Sequence, residues 1–306
     1  MSGFGLQETP STFVPGAKQP VPADPSWTPL EAWVWRKLHA GEIANIDHYQ
    51  DNQGPLPPAD PKTPEDWHNG RRRLPARFLE AVLLDEPFRS AIHRRGMRIQ
   101  GAWFEEEIDL SNTELHCPLW LDRTRFERAM DLTDMRGRLV SLRSCTCAAS
   151  LSLERAQISQ GLFMRDGAEF QGIILRGVKI GGQLDLSRAN IKGALDLEAA
   201  NVDESVVMRD AEFQTIEFRA AKVGGQLDLS RAKIHGKLDL QGAEIAQSIL
   251  MRNGAEFQGV NLLGVRVGGQ LSLAGSKVKG ALHLQDAHIG LGLFMRGDGA
   301  EFNDVV

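Results

Sequence analysis

The sequence predicts a mainly β protein: a right-handed, four-sided parallel β-helix of about nine coils, preceded by an α-helical cap. Three observations predict it. First, a motif repeats. Gly181-Gly182-Gln183-Leu184-Asp185-Leu186 returns at Gly224-Gly225-Gln226-Leu227-Asp228-Leu229 and at Gly268-Gly269-Gln270-Leu271-Ser272-Leu273. Second, large apolar residues recur every five or six positions, as in Leu186, Ile191, Leu197, Val202, Met208, Phe213, Phe218, Val223 and Leu229. Each has a partner two residues earlier, such as Leu184 before Leu186. A helix would space them by three and four, and a long strand would alternate strictly. Pairs separated by one residue mark very short strands, because successive side chains point to opposite faces. Third, at steps of 21 to 22 residues these positions align into four columns. One column runs Ile99, Leu121, Leu142, Met164, Leu186, Met208, Leu229, Met251, Leu273, Met295, and the next from Phe104 to Phe302. The other two run from Leu110 to Leu284 and from Leu115 to Ile289, with Gly137 the one small residue. Coils stacked about 4.8 Å apart, the ordinary strand spacing, would bury these columns as one core. The right-handed winding is expected from crossover chirality.

Taken in order, residues 1–27 carry Pro10, Pro15, Pro20, Pro22 and Pro25 with few large apolar groups, and read as a flexible tail. Residues 28–96 read as the helical cap. Thr28-Pro29-Leu30-Glu31 is a capping box with Pro at the first helical position, and Leu30, Trp33, Val34 and Leu38 follow at helical spacing. A Pro-rich loop spans Pro55 to Pro64, a second helix is expected over Leu74 to Leu84, and a short third from Pro87 to His93. An uncovered first coil would present unpaired backbone groups and an open apolar core, so these helices are expected to close that end. Arg71-Arg72-Arg73 reads as a solvated helix start rather than a phosphate site. Residues 97–306 form the solenoid, with Gly193, Gly236, Gly259 and Gly280 expected at its turns.

Ala189-Asn190-Ile191, Ala200-Asn201-Val202, Ala243-Glu244-Ile245 and Leu184-Asp185-Leu186 follow a unit of the form Ala-(Asp/Asn)-Leu-x-x. On these residues the stretch from Met97 to Phe302 resembles the pentapeptide-repeat family, although it mixes fives with sixes where that family keeps strict fives. It is also similar to bacterial proteins of unknown function that place a helical segment before such coils. The resemblance implies the fold and leaves the function open. Some pentapeptide-repeat proteins imitate DNA and bind type II topoisomerases. The resemblance therefore implies a DNA-mimic binder of a topoisomerase or other DNA-binding protein as an alternative function, one that requires a continuous acidic surface.

A formal charge of −5 over 306 residues, nearly balanced on both sides of residue 96, points away from nucleic-acid binding. No apolar run approaches the ~20 residues of a membrane span. The N-terminus shows neither a basic start nor an apolar core, so no secretory signal is expected and the expected compartment is the cytoplasm. Cys117, Cys145 and Cys147 read as small buried groups, not as a disulfide framework or metal site, and no cofactor is expected. No catalytic constellation is visible. Coil length varies too little to leave catalytic loops, His235, His283 and His288 stand singly, and Ser187 and Ser230 lack a base. Gly290-Leu291-Gly292 precedes no helix and reads as a turn. The expectation is a non-enzymatic protein, with an enzyme carrying an unrecognised site as a further alternative.

Outward residues are the ones that can act. On the first face they run Trp120, Ser141, Phe163, Asp185, Val207, Asp228, Leu250, Ser272 and Phe294, so large apolar groups return in every second coil beside Arg143, Arg165, Arg209, Arg252 and Arg296. Apolar and Arg side chains together favour protein binding. A partner protein is therefore expected at Trp120, Phe163, Arg165, Val207, Arg209, Leu250, Arg252, Phe294 and Arg296, with Phe302 at the C-terminal coil. The stripe could instead be covered by the N-terminal segment or shielded by the Arg stems. On the next face Glu169, Asn190, Glu212, Lys233, Glu256, Lys277 and Glu301 read as an ion-pair ladder. The pattern continues to Phe302 and stops in mid-coil at Val306, which predicts an open coil able to form an end-to-end homodimer.

Overall fold

Parallel pairing of short strands builds a solenoid of about ten turns, with equivalent residues about 22 apart. Its computed structural model describes residues 21–56, 58, 60, 62–63, 67 and 70–306. Positions placed in one outward row are direct neighbours across coils: Phe163 lies beside Asp185, Asp185 beside Val207, Val207 beside Asp228 and Asp228 beside Leu250. The inward Leu186, Met208 and Leu229 are buried in one continuous core.

Each coil contributes to two parallel sheets. In one, two-residue strands such as Leu184–Asp185 and Asn201–Val202 are separated by bends. In the other, the two expected sides fuse into one strand, Asn190–Asp196, bent where the register shifts between Ile191 and Ala194. The tight turns lie between the sheets. In Leu186-Ser187-Arg188-Ala189 the Ala189 N–H donates to the Leu186 carbonyl at 3.0 Å while Arg188 holds φ 60°, the positive value that a type II turn needs at its third residue. The opposite turn, Leu197 to Ala200, repeats this with Ala199 at φ 55°. The glycines expected at turns sit elsewhere. Gly193 and Gly280 lie inside strands, where a Cβ would come within 2.1 Å of the Gln171 and Gln258 carbonyl oxygens of the preceding coil. They permit close stacking rather than a reversal of the chain.

From Met164 onward the core alternates with a two-coil period. Coils with Leu186 and Ile191 or Leu229 and Ile234 sit between coils with Met208 and Phe213 or Met251 and Phe257, all buried. Bulky and slimmer layers thus interleave, which close packing favours.

Helix α1, Pro29–His39, starts at the predicted capping box: Glu31 N–H donates to the Thr28 hydroxyl and Thr28 N–H to the Glu31 carboxylate. Helices α2, Ala76–Leu84, and α3, Phe88–Ala91, follow. Leu74 falls outside α2 because its N–H donates to the Trp103 carbonyl at 2.9 Å, while Trp103 N–H donates to the Arg72 carbonyl at 2.9 Å. On the other sheet Ala44–Asn45 pairs in parallel with Ile99–Gln100. The cap therefore supplies backbone partners to the first coil as well as apolar cover. Arg72 is 1% exposed and pairs with Asp47 at 2.7 Å, and Asp47 also pairs with Arg123 of the solenoid at 2.6 Å. Arg71 pairs with Asp51 and Arg73 with Glu105. The Arg triplet is thus a set of fasteners within and beneath the cap, not a solvated helix start. The expected flexible tail lies largely outside the described residues. Its last part belongs with the cap: Trp27 packs 4.5 Å from the Phe88 ring, and Trp35 Nε1 donates to the Val21 carbonyl. All three cysteines are free and buried, and burial pushes their thiols up, Cys145 furthest. Among the described residues no helix is long and apolar enough to cross a membrane.

Candidate functional site

The first face is built by a device with the same two-coil period. Each Leu-Asp-Leu-Ser-Arg coil sets an Asp in the outward row, and its own turn holds that Asp. Ser187 N–H and hydroxyl donate to Asp185 Oδ1, and Ser230 N–H donates to Asp228 Oδ1 at 2.9 Å. The preceding coil sends an Arg to the same carboxylate. Arg165 Nη1 meets Asp185 Oδ2 at 2.9 Å, and Arg209 Nε meets Asp228 Oδ2 at 2.6 Å. Burial pushes the Asp228 carboxyl up, but the hydrogen bonds from Ser230 and Arg209 outweigh it and hold the group below its ordinary range. Asp166, in the neighbouring turn, accepts from Arg143 and Arg188. Burial again opposes and these bonds prevail, so its carboxyl is held low as well.

This pairing shortens the expected apolar stripe. Asp185 and Asp228 are buried in it, Leu250 is only 5% exposed, and Trp120, Phe163 and Val207 are half-buried. The Arg165 guanidinium lies 5.6 Å from the Phe163 ring centre. The Arg side chains thus close the middle of the face, as the shielding alternative expects. Phe302 turns inward, stacked on Val278 and packed against the core. Of the predicted residues, Phe294 remains 52% exposed.

No family model, curated protein or solved structure matches this chain. The arrangement of side chains must therefore speak for itself.

At its C-terminal end the face opens. Leu291 is 82% exposed and Phe294, in the outward row beside Ser272, is 52% exposed, while Leu293 lies in the inward row of Ile249 and Leu271. Leu291 occupies a row held in equivalent coils by Gln160, Glu204 and Gln247, with the backbone contact kept: Gln247 N–H donates to the Gly225 carbonyl and Leu291 N–H to the Gly269 carbonyl. Sequence reasoning missed Leu291 because it read Gly290-Leu291-Gly292 as a turn. The signal was an apolar side chain in a row that otherwise alternates Gln or Glu with Gly182, Gly225 and Gly269. It also missed the Asp185 and Asp228 anchors, whose mark was the Asp-x-Ser repeat. Next to Leu293 a cavity of about 650 Å³ is lined by Arg252, Gln270, Ser272, Ala274, Phe294 and Arg296.

The acid–base row of the neighbouring face is kept in register, but most of its pairs run two residues along. Glu169 pairs with Lys192, Glu212 with His235 and Glu256 with Lys279, while Lys277 and Glu301 pair directly. Among the described residues no group of three or more His, Cys, Asp or Glu could hold a metal ion.

Proposed function

We propose that this chain is a non-enzymatic scaffold that binds a partner protein at the C-terminal part of its first face, around Leu291, Phe294 and Arg296. One observation carries this reading: an apolar side chain, Leu291, stands exposed where equivalent coils place Gln or Glu. Contiguous exposed apolar groups need a reason, and aromatic and Arg side chains are those that interfaces favour. The upstream part of the face closes on itself through Arg165–Asp185 and Arg209–Asp228. We assign the coils to a divergent pentapeptide-repeat type, bacterial and cytoplasmic in style, on the Ala-Asn-Ile and Ala-Asn-Val units at Ala189 and Ala200. A DNA mimic needs an unbroken acidic band. Here Asp166, Asp185, Asp196, Asp210 and Asp228 each carry an Arg partner, which favours the scaffold.

The test compares wild type with the L291S/F294S variant, first to capture a partner from bacterial extract and then to titrate that partner in purified form. The expected result is binding weakened about tenfold or more, the loss typical of central interface residues, with an unchanged circular dichroism spectrum. Equal titration curves would overturn the reading. Sedimentation of the protein alone identifies the other occupant, a second copy through the same coil.

A further inference from the structure

Of the three copies of the Gly-Gly-Gln-Leu motif, one lacks the Arg–Asp device. In the third repeat Leu-Asp-Leu-Ser-Arg becomes Leu271-Ser272-Leu273-Ala274-Gly275. The inward Leu271 and Leu273 are kept and buried, so the coil is intact. What has gone is the carboxylate, the Ser that anchors it and the Arg of the turn. Arg252 stands where Arg165 and Arg209 stand, one coil before the altered motif. It has no ion pair among the described residues, and its Nε is buried without a hydrogen-bond partner. Arg165 Nε also lacks a hydrogen bond, but its Nη1 holds Asp185, so Arg252 alone of the three faces no carboxylate.

We propose that Arg252, Ser272 and Arg296 form a carboxylate-binding pocket that takes an Asp or Glu side chain of the partner protein, with an apolar neighbour of that acid packing on Phe294. The inference rests on the scaffold reading and names the chemistry of what is bound. Four points support it. The pocket already exists as a cavity of about 650 Å³ between these residues. One of its two cations, Arg252, has no acidic partner among the described residues, although the coil that supplies one to Arg165 and Arg209 is present. A guanidinium fork binds a carboxylate with directed, charge-assisted hydrogen bonds, and a half-buried one left unpaired is costly. Lastly, the molecule shows the occupied form twice, at Arg165–Asp185 and Arg209–Asp228. The partner's acid would complete the third pair between molecules. Ser272, in the position of Asp185 and Asp228, lines the same cavity.

The decisive variant is S272D, which puts the carboxylate back in place. A labelled acetyl-Leu-Asp-Leu-amide peptide, a copy of the motif that closes the other coils, and its Asn counterpart serve as probes. Binding is followed through the Arg side-chain Nε–H resonances of the whole protein. Wild type should bind the Asp peptide at least about tenfold more tightly than the Asn peptide, the preference expected of charge-assisted pairing. The Arg252 resonance should move, and S272D should abolish that preference while raising the melting temperature. Equal binding of the two peptides, or an undiminished preference in S272D, overturns the pocket. The purified partner separates this failure from failure of the scaffold. If L291S/F294S loses the partner and S272D keeps it, the pocket is wrong and the scaffold stands. If neither variant loses it, both are wrong.

Discussion

The buried carboxylates of the first face show how a polar residue can be a structural element of a solenoid. Asp228 is 2% exposed yet charged, because Ser230 and Arg209 supply the donors that water would otherwise provide. Its carboxyl is held below the ordinary range, so the sign of its linkage is fixed. The stabilisation is complete above the unfolded value, near 4, and is lost as pH falls through the lower folded value. D228N should therefore cost about 1–3 kcal/mol at about pH 7, as for a hydrogen-bonded charged group. The gap from wild type should shrink in acid, once the pH has fallen through the lowered folded value and the wild-type carboxylate is also protonated. Urea unfolding at both pH values measures this; a gap of the same size in acid would assign the cost to shape rather than charge. Inward Leu and Ile were legible from the sequence because only large apolar side chains can fill a buried column. The Arg209–Asp228 partnership was not, since it joins residues 19 apart and depends on which side chain crosses to the next coil.

At the scale of the element, the unit of construction is a pair of coils rather than one. Phe170, Phe213 and Phe257 occupy alternate layers, with Ile191 and Ile234 between them, and all are buried. I191F would place three rings in consecutive layers, Phe170 below and Phe213 above in direct register. Overpacking of this kind costs about 1–3 kcal/mol, and thermal unfolding should show it, while F213I at the bulky layer should instead leave a cavity. If I191F were neutral, the layers would be adaptable and the alternation would carry no energy. The expectation of four sides came from the apolar period, and two of those sides lie within single bent strands such as Asn190–Asp196. The apolar period reports which residues point inward. It is silent on whether the backbone between two inward residues turns or merely bends, and at Gly193 the close approach to the Gln171 carbonyl selects the bend.

For the whole molecule, a solenoid is a stack of neighbour-to-neighbour interfaces, so its ends decide its behaviour. The N-terminal end is sealed by short backbone contacts to the first coil: Ala44–Asn45 on one sheet, and the Arg72 carbonyl and Leu74 N–H on the other. Buried beneath it, Asp47 joins Arg72 of the cap to Arg123 of the solenoid. The sequence announced a cap through its helices but not this seam, because its strand contacts are too short for any periodicity to register. R72M removes one cation and leaves Asp47 with Arg123, so the cost should be about 3 kcal/mol, the lower part of the range for breaking a buried pair. The loss should stay local. Hydrogen exchange should quicken in Met97–Gln100 and Trp103–Phe104, while strands such as Lys233–Asp239 keep their protection. A uniform increase along the rod would mean that cap and coils open as one cooperative body, and the two ends could then influence each other. A local increase would make the cap an independent seal and leave the C-terminal face free to bind without disturbing it.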